Sequence, residues 1–151
     1  MSAIEQDLMK LYSERILALA AGISRTGRLE DAQGTAMKRS PLCGSTITVD
    51  LKIEDGKVSD FAQDVKACAL GQSSAAVLAA HVIGRSRADL EAGRDQLKAL
   101  IKQDGPAPDA PFDELESLRP ARDYKNRHAS IMIPWEAALA AFDAAANVAQ
   151  P

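Results

Sequence analysis

The sequence predicts a single α+β domain, in which a small antiparallel sheet of about three strands is covered on one face by four to five helices. The first observation behind this prediction is the strict apolar and polar alternation from Thr46 to Ile53, which is typical of a half-buried strand. The second is that apolar residues elsewhere recur at three- and four-residue steps, which is typical of amphipathic helices. The third is size, because 151 residues, 46% of them hydrophobic, suffice for one compact core. Residues 1–151 are therefore predicted to form one domain.

The strand over 46–53 is predicted to continue into a β-hairpin. Asp55-Gly56 follows it, and this pair can adopt the positive φ angles of a tight turn. Residues 58–67 should then return antiparallel to the first strand. A third strand is predicted around residues 36–40, at the end of a polar, irregular connection over 24–40. These three segments make up the predicted sheet.

Helices are predicted before and after the hairpin. Ser86 with Asp89 three positions later resembles a capping box, which marks a helix start. Gly22 and Gly84 each follow an apolar segment and supply stop signals. A charged loop is predicted over 119–127. The predicted helical segments are 4–21, 72–83, 86–102, a short turn over 112–118, and a last helix that holds Trp135 with Pro134 near its start.

Composition and charge argue against several functional classes. The chain carries 18 basic and 21 acidic residues, a net charge of −3, so nucleic acid and anionic lipid are not expected as partners. No apolar run approaches the roughly 20 residues that span a bilayer, and the N-terminus lacks the features of a signal peptide. We therefore expect a cytoplasmic protein without a membrane partner. No glycine-rich phosphate loop and no spacing typical of a hydrolase is present.

The two cysteines, Cys43 and Cys68, stand just outside the two open ends of the predicted hairpin. A hairpin brings its open ends together, so these thiols are expected to lie close in space although they are far apart in sequence. Two thiolates supply half of a tetrahedral site for a soft metal or an iron–sulfur cluster. Two unrelated buried thiols are the other interpretation. A disulfide is disfavoured in a reducing compartment.

Three motifs stand in order along the chain. They are Ser40-Pro41-Leu42-Cys43-Gly44, the segment 67–75 that contains Cys68, and the segment 127–135 that ends at Pro134-Trp135. In this order and spacing the sequence resembles the U-type iron–sulfur cluster assembly scaffold family, which includes IscU, SufU and the N-terminal domain of NifU. The resemblance covers almost the whole chain, and the long segment before the last motif is most similar to the SufU branch. It implies a SufE/NifU-like fold.

The resemblance also implies a ligand set. In that family three cysteines and an aspartate gather around one zinc ion or nascent cluster, and Cys43 and Cys68 match the first two cysteines. Ser45 stands where the aspartate is expected, and Ser130 stands where the third cysteine belongs when the last motif is aligned on Trp135. A serine hydroxyl is a poor ligand for zinc or iron at neutral pH. Metal affinity is therefore expected to fall sharply.

Two residues are candidate replacement ligands. His128 is the better one, because imidazole suits zinc and iron, and Asp64 on the returning strand is the other. On a helix, however, His128 lies about 200° around from Ser130, so it reaches the site only if the helix starts later or is distorted. The alternative interpretation is that His128 faces solvent.

The leading hypothesis is a scaffold or sulfur-acceptor protein, not an enzyme, that binds iron, zinc or a nascent iron–sulfur cluster through Cys43 and Cys68. The resemblance implies a cysteine desulfurase and apo iron–sulfur acceptor proteins as partners, with a homodimer as an alternative to the monomer. The loss of ligands at Ser45 and Ser130 motivates a second hypothesis, a degenerate scaffold that acts as a regulatory or adaptor protein for the desulfurase without cluster binding. Zinc-assisted sulfur transfer is a third hypothesis, which the SufU-like length suggests.

A basic loop stands out in this acidic chain. It contains Arg119, Arg122, Lys125 and Arg127. Such a loop could contact an acidic partner surface, or it could form a solvated face without a binding role.

Overall fold

The computed structural model of the protein describes residues 2–42 and 44–149. It confirms the α+β class and the three-stranded antiparallel sheet. In chain order the elements are α1 (Ala3–Leu11), α2 (Glu14–Ala21), β1 (Gly34–Arg39), β2 (Thr46–Glu54), β3 (Lys57–Lys66), α3 (Ala69–His81), α4 (Arg87–Gln103), the 3-10 helices Asp113–Asp123 and Lys125–Arg127, and α5 (His128–Ala149).

The sheet has the order β1-β2-β3, with both pairs antiparallel. The predicted hairpin is correct, since Asp55 and Gly56 have φ angles of 53° and 75° and join β2 to β3. Thr46 lies opposite Lys66 at the open end of the hairpin. The residues that follow β3 and precede β2 are thereby brought to one end of the sheet.

Helix α5 is the central packing element of the fold. It packs on β1 and β2 on one side and on α3 and α4 on the other. It approaches β1 so closely that a Cβ at Gly34 would lie 2.0 Å from the carbonyl oxygen of Ala141. The segment Lys125–Val148 is long and apolar enough to cross a membrane, but 67% of its most apolar window is buried inside the protein. That burial is typical of a core helix.

Two sequence predictions, one about a helix and one about a loop, are wrong. The segment 4–21 forms two helices, because Ser13 caps α2 by accepting a hydrogen bond from the Ile16 amide at 3.2 Å. The charged loop over 119–127 is instead 3-10 helical over nearly its whole length. Pro134 lies near the start of the last helix, as predicted, and is the seventh residue of α5, which begins at His128. The capping box of Ser86 and Asp89 at the start of α4 is confirmed.

The connection between α2 and β1 is held against the sheet by Asp50. This side chain is 1% exposed, and Arg28 binds it with two nitrogens, at 2.5 and 3.2 Å. The Leu29 amide at 3.2 Å and the Thr35 hydroxyl at 2.5 Å also donate hydrogen bonds to the Asp50 carboxylate. Burial acts to raise the pKa of Asp50, but these hydrogen bonds and the guanidinium charge together outweigh it and hold the pKa below its ordinary value.

We expect Asp50→Asn to lower the free energy of unfolding by about 1.5–3 kcal/mol at neutral pH, because the hydrogen bonds to a buried charge are lost. The pKa of Asp50 is lower in the folded than in the unfolded protein, so its stabilisation is full above about pH 4 and is lost as the pH falls through the folded-state pKa. Urea denaturation at neutral and acid pH measures both effects. Asp31→Asn, which removes an exposed partner of Lys52 from the same connection, is the control and should change little. An equal effect of Asp50→Asn at both pH values would contradict the assigned role of the charge.

Candidate functional site

Three of the positions that the resemblance implies as ligands meet at the open end of the hairpin. Ser45 immediately precedes β2, Cys68 caps the N-terminus of α3, and Ser130 is the third residue of α5. The Ser130 hydroxyl oxygen lies 3.0 Å from the Ser45 hydroxyl oxygen and 3.7 Å from the Cys68 sulfur. Residues that are far apart in sequence are thus in contact, and Ser130 is the member that touches both others.

Cys43 lies outside the described residues, but its neighbours are part of this site. The Gly44 amide donates a hydrogen bond to the Ser40 carbonyl at 3.0 Å, and the Ser40 amide donates to the Ser45 carbonyl at 2.8 Å. Gly44 has a φ of 68°, in the left-handed region that favours glycine. These contacts place the ends of the connection from β1 to β2 at the site, with Leu42 76% exposed.

The thiol of Cys68 is the most accessible of the three side chains in contact. Cys68 has an extended backbone, with φ −68° and ψ 172°, and its carbonyl accepts the hydrogen bond from the Gln72 amide that begins α3. Its side chain makes no capping hydrogen bond and is half-buried. Ser45 and Ser130 are buried, with 4% and 0% exposure. The described part of the site therefore consists of the half-buried Cys68 and the two buried hydroxyls of Ser45 and Ser130.

A close approach of α3 and α5 fixes the position of Ser130. A Cβ at Gly71 would lie 2.8 Å from the Ser130 hydroxyl oxygen and 3.0 Å from the Ser130 carbonyl oxygen. One turn further, the Ser74 hydroxyl donates to the Ile131 carbonyl at 2.7 Å and accepts from the Trp135 indole at 3.2 Å. Sequence analysis missed Ser74, although two serines inside an alanine-rich buried helix are a signal of polar contacts between helices.

The two buried hydroxyls satisfy each other. Ser130 and Ser45 form this hydrogen bond as neutral hydroxyls. A neutral hydroxyl is a weak ligand for zinc or iron. Among the side chains that the structure describes, no group of three or more His, Cys, Asp and Glu residues could hold a metal ion. Of the three described side chains in contact at this site, Cys68 is the one with good ligand chemistry for a metal or cluster.

The two candidate replacement ligands, His128 and Asp64, make no described contact with Cys68. His128 is 5% exposed, and its Nε2 lies 2.8 Å from the Ala121 carbonyl oxygen, so the expectation of a solvent-facing side chain is wrong. The ring lines a cleft with Lys125 and Met132. Asp64 is exposed on β3. Neither contacts Cys68 in the part of the chain that the structure describes, so their role as ligands has no support from contacts.

The family model and the similar proteins agree on one family. A model of the family described as NifU-like N terminal domain matches residues 11–105, which include Ser45 and Cys68 but not Ser130. The IscU iron–sulfur cluster assembly scaffold protein of Thermotoga maritima is 28% identical over 131 residues, which are 83% of this chain and 88% of that protein. The IscU of Streptococcus pyogenes is 25% identical over 122 residues, covering 80% of this chain and 76% of that protein.

Solved structures agree with the sequence comparison. A NifU-like N-terminal protein from Brucella abortus has a TM-score of 0.90 and 42% identity, covering 93% of this chain and 98% of that one. A candidate scaffold protein for iron–sulfur cluster assembly in the SUF system of Fervidobacterium islandicum has a TM-score of 0.76 at 18% identity, with 89% and 98% covered. The second likeness concerns the fold alone.

The contact between the two hydroxyls predicts energetic coupling between Ser45 and Ser130. We expect each serine-to-alanine change alone to lower the free energy of unfolding by about 1–3 kcal/mol, because it leaves a buried hydroxyl without its partner. The double change should cost less than the sum of the two single changes, by about 1 kcal/mol. Urea denaturation of the four proteins measures this coupling. Ser73→Ala, which removes a buried hydroxyl bonded to the Ile16 carbonyl instead, should combine additively with Ser45→Ala. Additive effects of the Ser45 and Ser130 changes would contradict the contact.

Proposed function

Since the chain belongs to the NifU-like N-terminal domain family, we propose that it is an iron–sulfur cluster assembly scaffold that accepts sulfur, or holds iron, zinc or a nascent cluster, through Cys43 and Cys68. The observation that carries this proposal is the contact of Cys68 with Ser130, which joins two family ligand positions 62 residues apart in the chain. The protein acts as a carrier rather than as an enzyme.

The chemistry of the site supports transient rather than permanent binding. Thiolates are good ligands for zinc, iron and clusters, whereas serine hydroxyls are poor ones. A site with two thiolates and two hydroxyls therefore holds its cargo weakly, which suits a protein that passes cargo on. A cysteine desulfurase as the sulfur source and apo iron–sulfur proteins as acceptors complete this proposal, in the cytoplasm.

One observation favours a second candidate function. The hydrogen bond between Ser45 and Ser130 gives each hydroxyl a partner without any ligand, so these two buried side chains do not depend on a metal for their hydrogen bonding. A protein with such a site can keep the family's fold and surfaces while it builds no cluster. It would then serve as a regulatory or adaptor protein for the desulfurase. Zinc-assisted sulfur transfer is less well supported, because zinc sites of this kind use about four good ligands.

We expect untagged protein, purified anaerobically, to contain iron or zinc that is lost in both Cys43→Ser and Cys68→Ser. Elemental analysis for iron, zinc and acid-labile sulfide, together with an absorption spectrum, measures this, and labile sulfide indicates a cluster rather than zinc. Ser59→Ala, an exposed change on β3, is the control and should keep the wild-type metal content. A folded wild-type protein that contains no metal and cannot be reconstituted with iron and sulfide would instead support the adaptor. In that case both cysteine variants should still bind the desulfurase.

Ser130→Cys is expected to strengthen metal retention, because it places a third thiolate beside Cys68. Zinc affinity should rise by at least about tenfold, comparable to the effect of supporting groups in other metal sites. The purification needs a reductant, since the new sulfur would lie near the Cys68 sulfur and could form a disulfide. Ser59→Cys adds a thiol away from the site and should leave the affinity unchanged. Unchanged affinity in Ser130→Cys would show that Ser130 does not occupy the third ligand position.

A further inference from the structure

A second concave surface lies on α4 and the first turn of α5. It is a cleft of about 600 Å³ whose lining includes Lys98, Lys102 and Lys125, with His128, Ala129 and Met132 from α5. A smaller cleft of about 340 Å³ continues from it towards Arg122 and shares Lys102, Lys125 and His128. We refer to the two together as the α4/α5 cleft.

The α4/α5 cleft is strongly positive, although the whole chain has a net charge of −3. Five cations line it, namely Arg94, Lys98, Lys102, Arg122 and Lys125. Against them stand two carboxylates, Asp95 and Glu136. The lining of the cleft therefore carries an excess of positive charge, in contrast to the chain as a whole.

Three of these cations have no partner within the described residues. Arg94 pairs with Asp95, and Arg122 pairs with Asp104 at 3.0 Å outside the cleft. The other three, Lys98, Lys102 and Lys125, are exposed and form no ion pair in the part of the chain that the structure describes. Their charges are available to a ligand that approaches from solvent.

The basic residues of the loop predicted from sequence do not all contribute to this surface. Arg119 is bound to Glu116 and Asp104, both at 2.7 Å or less, so its charge is already neutralised. Lys125 lies in the cleft instead. The surface that could meet an acidic partner is thus formed mainly by α4, which the prediction did not include.

The spacing of the cations fits an extended chain better than a single small anion. Arg94, Lys98 and Lys102 follow one another at four-residue steps, so they share a face of α4 and are separated by about 6 Å along its axis. In an extended peptide, side chains on one face recur about every 6.6–6.8 Å. This spacing arranges Lys98 and Lys102 in a row along α4 rather than around one point.

We propose that the α4/α5 cleft docks an extended acidic segment of a partner protein, with carboxylates at alternate positions pairing with Lys98 and Lys102 of α4 and with Lys125 of the 3-10 helix before α5. This docking is independent of metal or sulfur binding at Cys68. Ala129 lines the cleft, and the next residue, Ser130, lies in the candidate site. The docked segment therefore contacts the same helical turn that carries Ser130, on its other side.

The test uses a fluorescein-labelled nonapeptide in which glutamate alternates with serine, titrated by anisotropy at about 0.15 M ionic strength, where charges further apart than about 8 Å are screened. We expect the double variant K98E/K125E to weaken binding by at least about tenfold. The matched control K38E/K57E makes the same change in net charge at two exposed lysines away from the cleft and should bind within about twofold of wild type. Thermal unfolding checks that both variants are folded. Equal weakening in the two variants, or no binding to the wild type, would overturn the proposal.

A second measurement locates the peptide and distinguishes other anions. Methyl resonances of the four methionines are recorded during the titration, and Met132, which lines the cleft, should shift while Met37 on β1 should not. Inorganic phosphate and vesicles that contain anionic lipid are titrated in parallel. Binding of either that depends on Lys98 and Lys125, without peptide binding, would replace the peptide by that ligand and overturn the proposal. A shift of Met37 but not of Met132 would also overturn it.

Discussion

The close contact between α3 and α5 is the constraint on which the rest of the structure depends. Only a glycine fits at position 71, since any Cβ would lie within 3.0 Å of Ser130. This contact sets Ser130 beside Cys68, and the hydrogen bonds of Ser74 to Ile131 and Trp135 hold the two helices in the same register. Because α5 also covers the sheet, the position of Ser130 relative to the hairpin follows from the same packing.

The first turn of α5 has two different chemical surroundings. On one side Ser130 meets a hydroxyl and a thiol, and on the other side His128 and Ala129 line the basic cleft. The proposed cargo site and the proposed docking cleft are therefore neighbours in space while they use separate side chains.

The sequence predicts those elements whose signals are local. The alternation of β2, the Asp55-Gly56 turn and the capping box of α4 each depend on a few adjacent residues, and all three are correct. The prediction of a single N-terminal helix is wrong because the apolar period runs through residues 4–21 without interruption, whereas the cap at Ser13 starts a second helix. The 3-10 segments after residue 112 lack any strong period, so tertiary packing of buried residues such as Leu115 and Leu118 decides their form.

By itself the sequence determined the fold class and the hairpin, and through motif resemblance it predicts Ser45 and Ser130 as substituted ligand positions. Only the tertiary structure decided that these serines bond to each other and that His128 turns towards the Ala121 carbonyl. It also decided that Lys125 joins the lysines of α4 in one cleft. The physical reason is that periodicity and turn chemistry act between neighbours in the chain, whereas these contacts join residues of different elements and depend on how closely the helices approach.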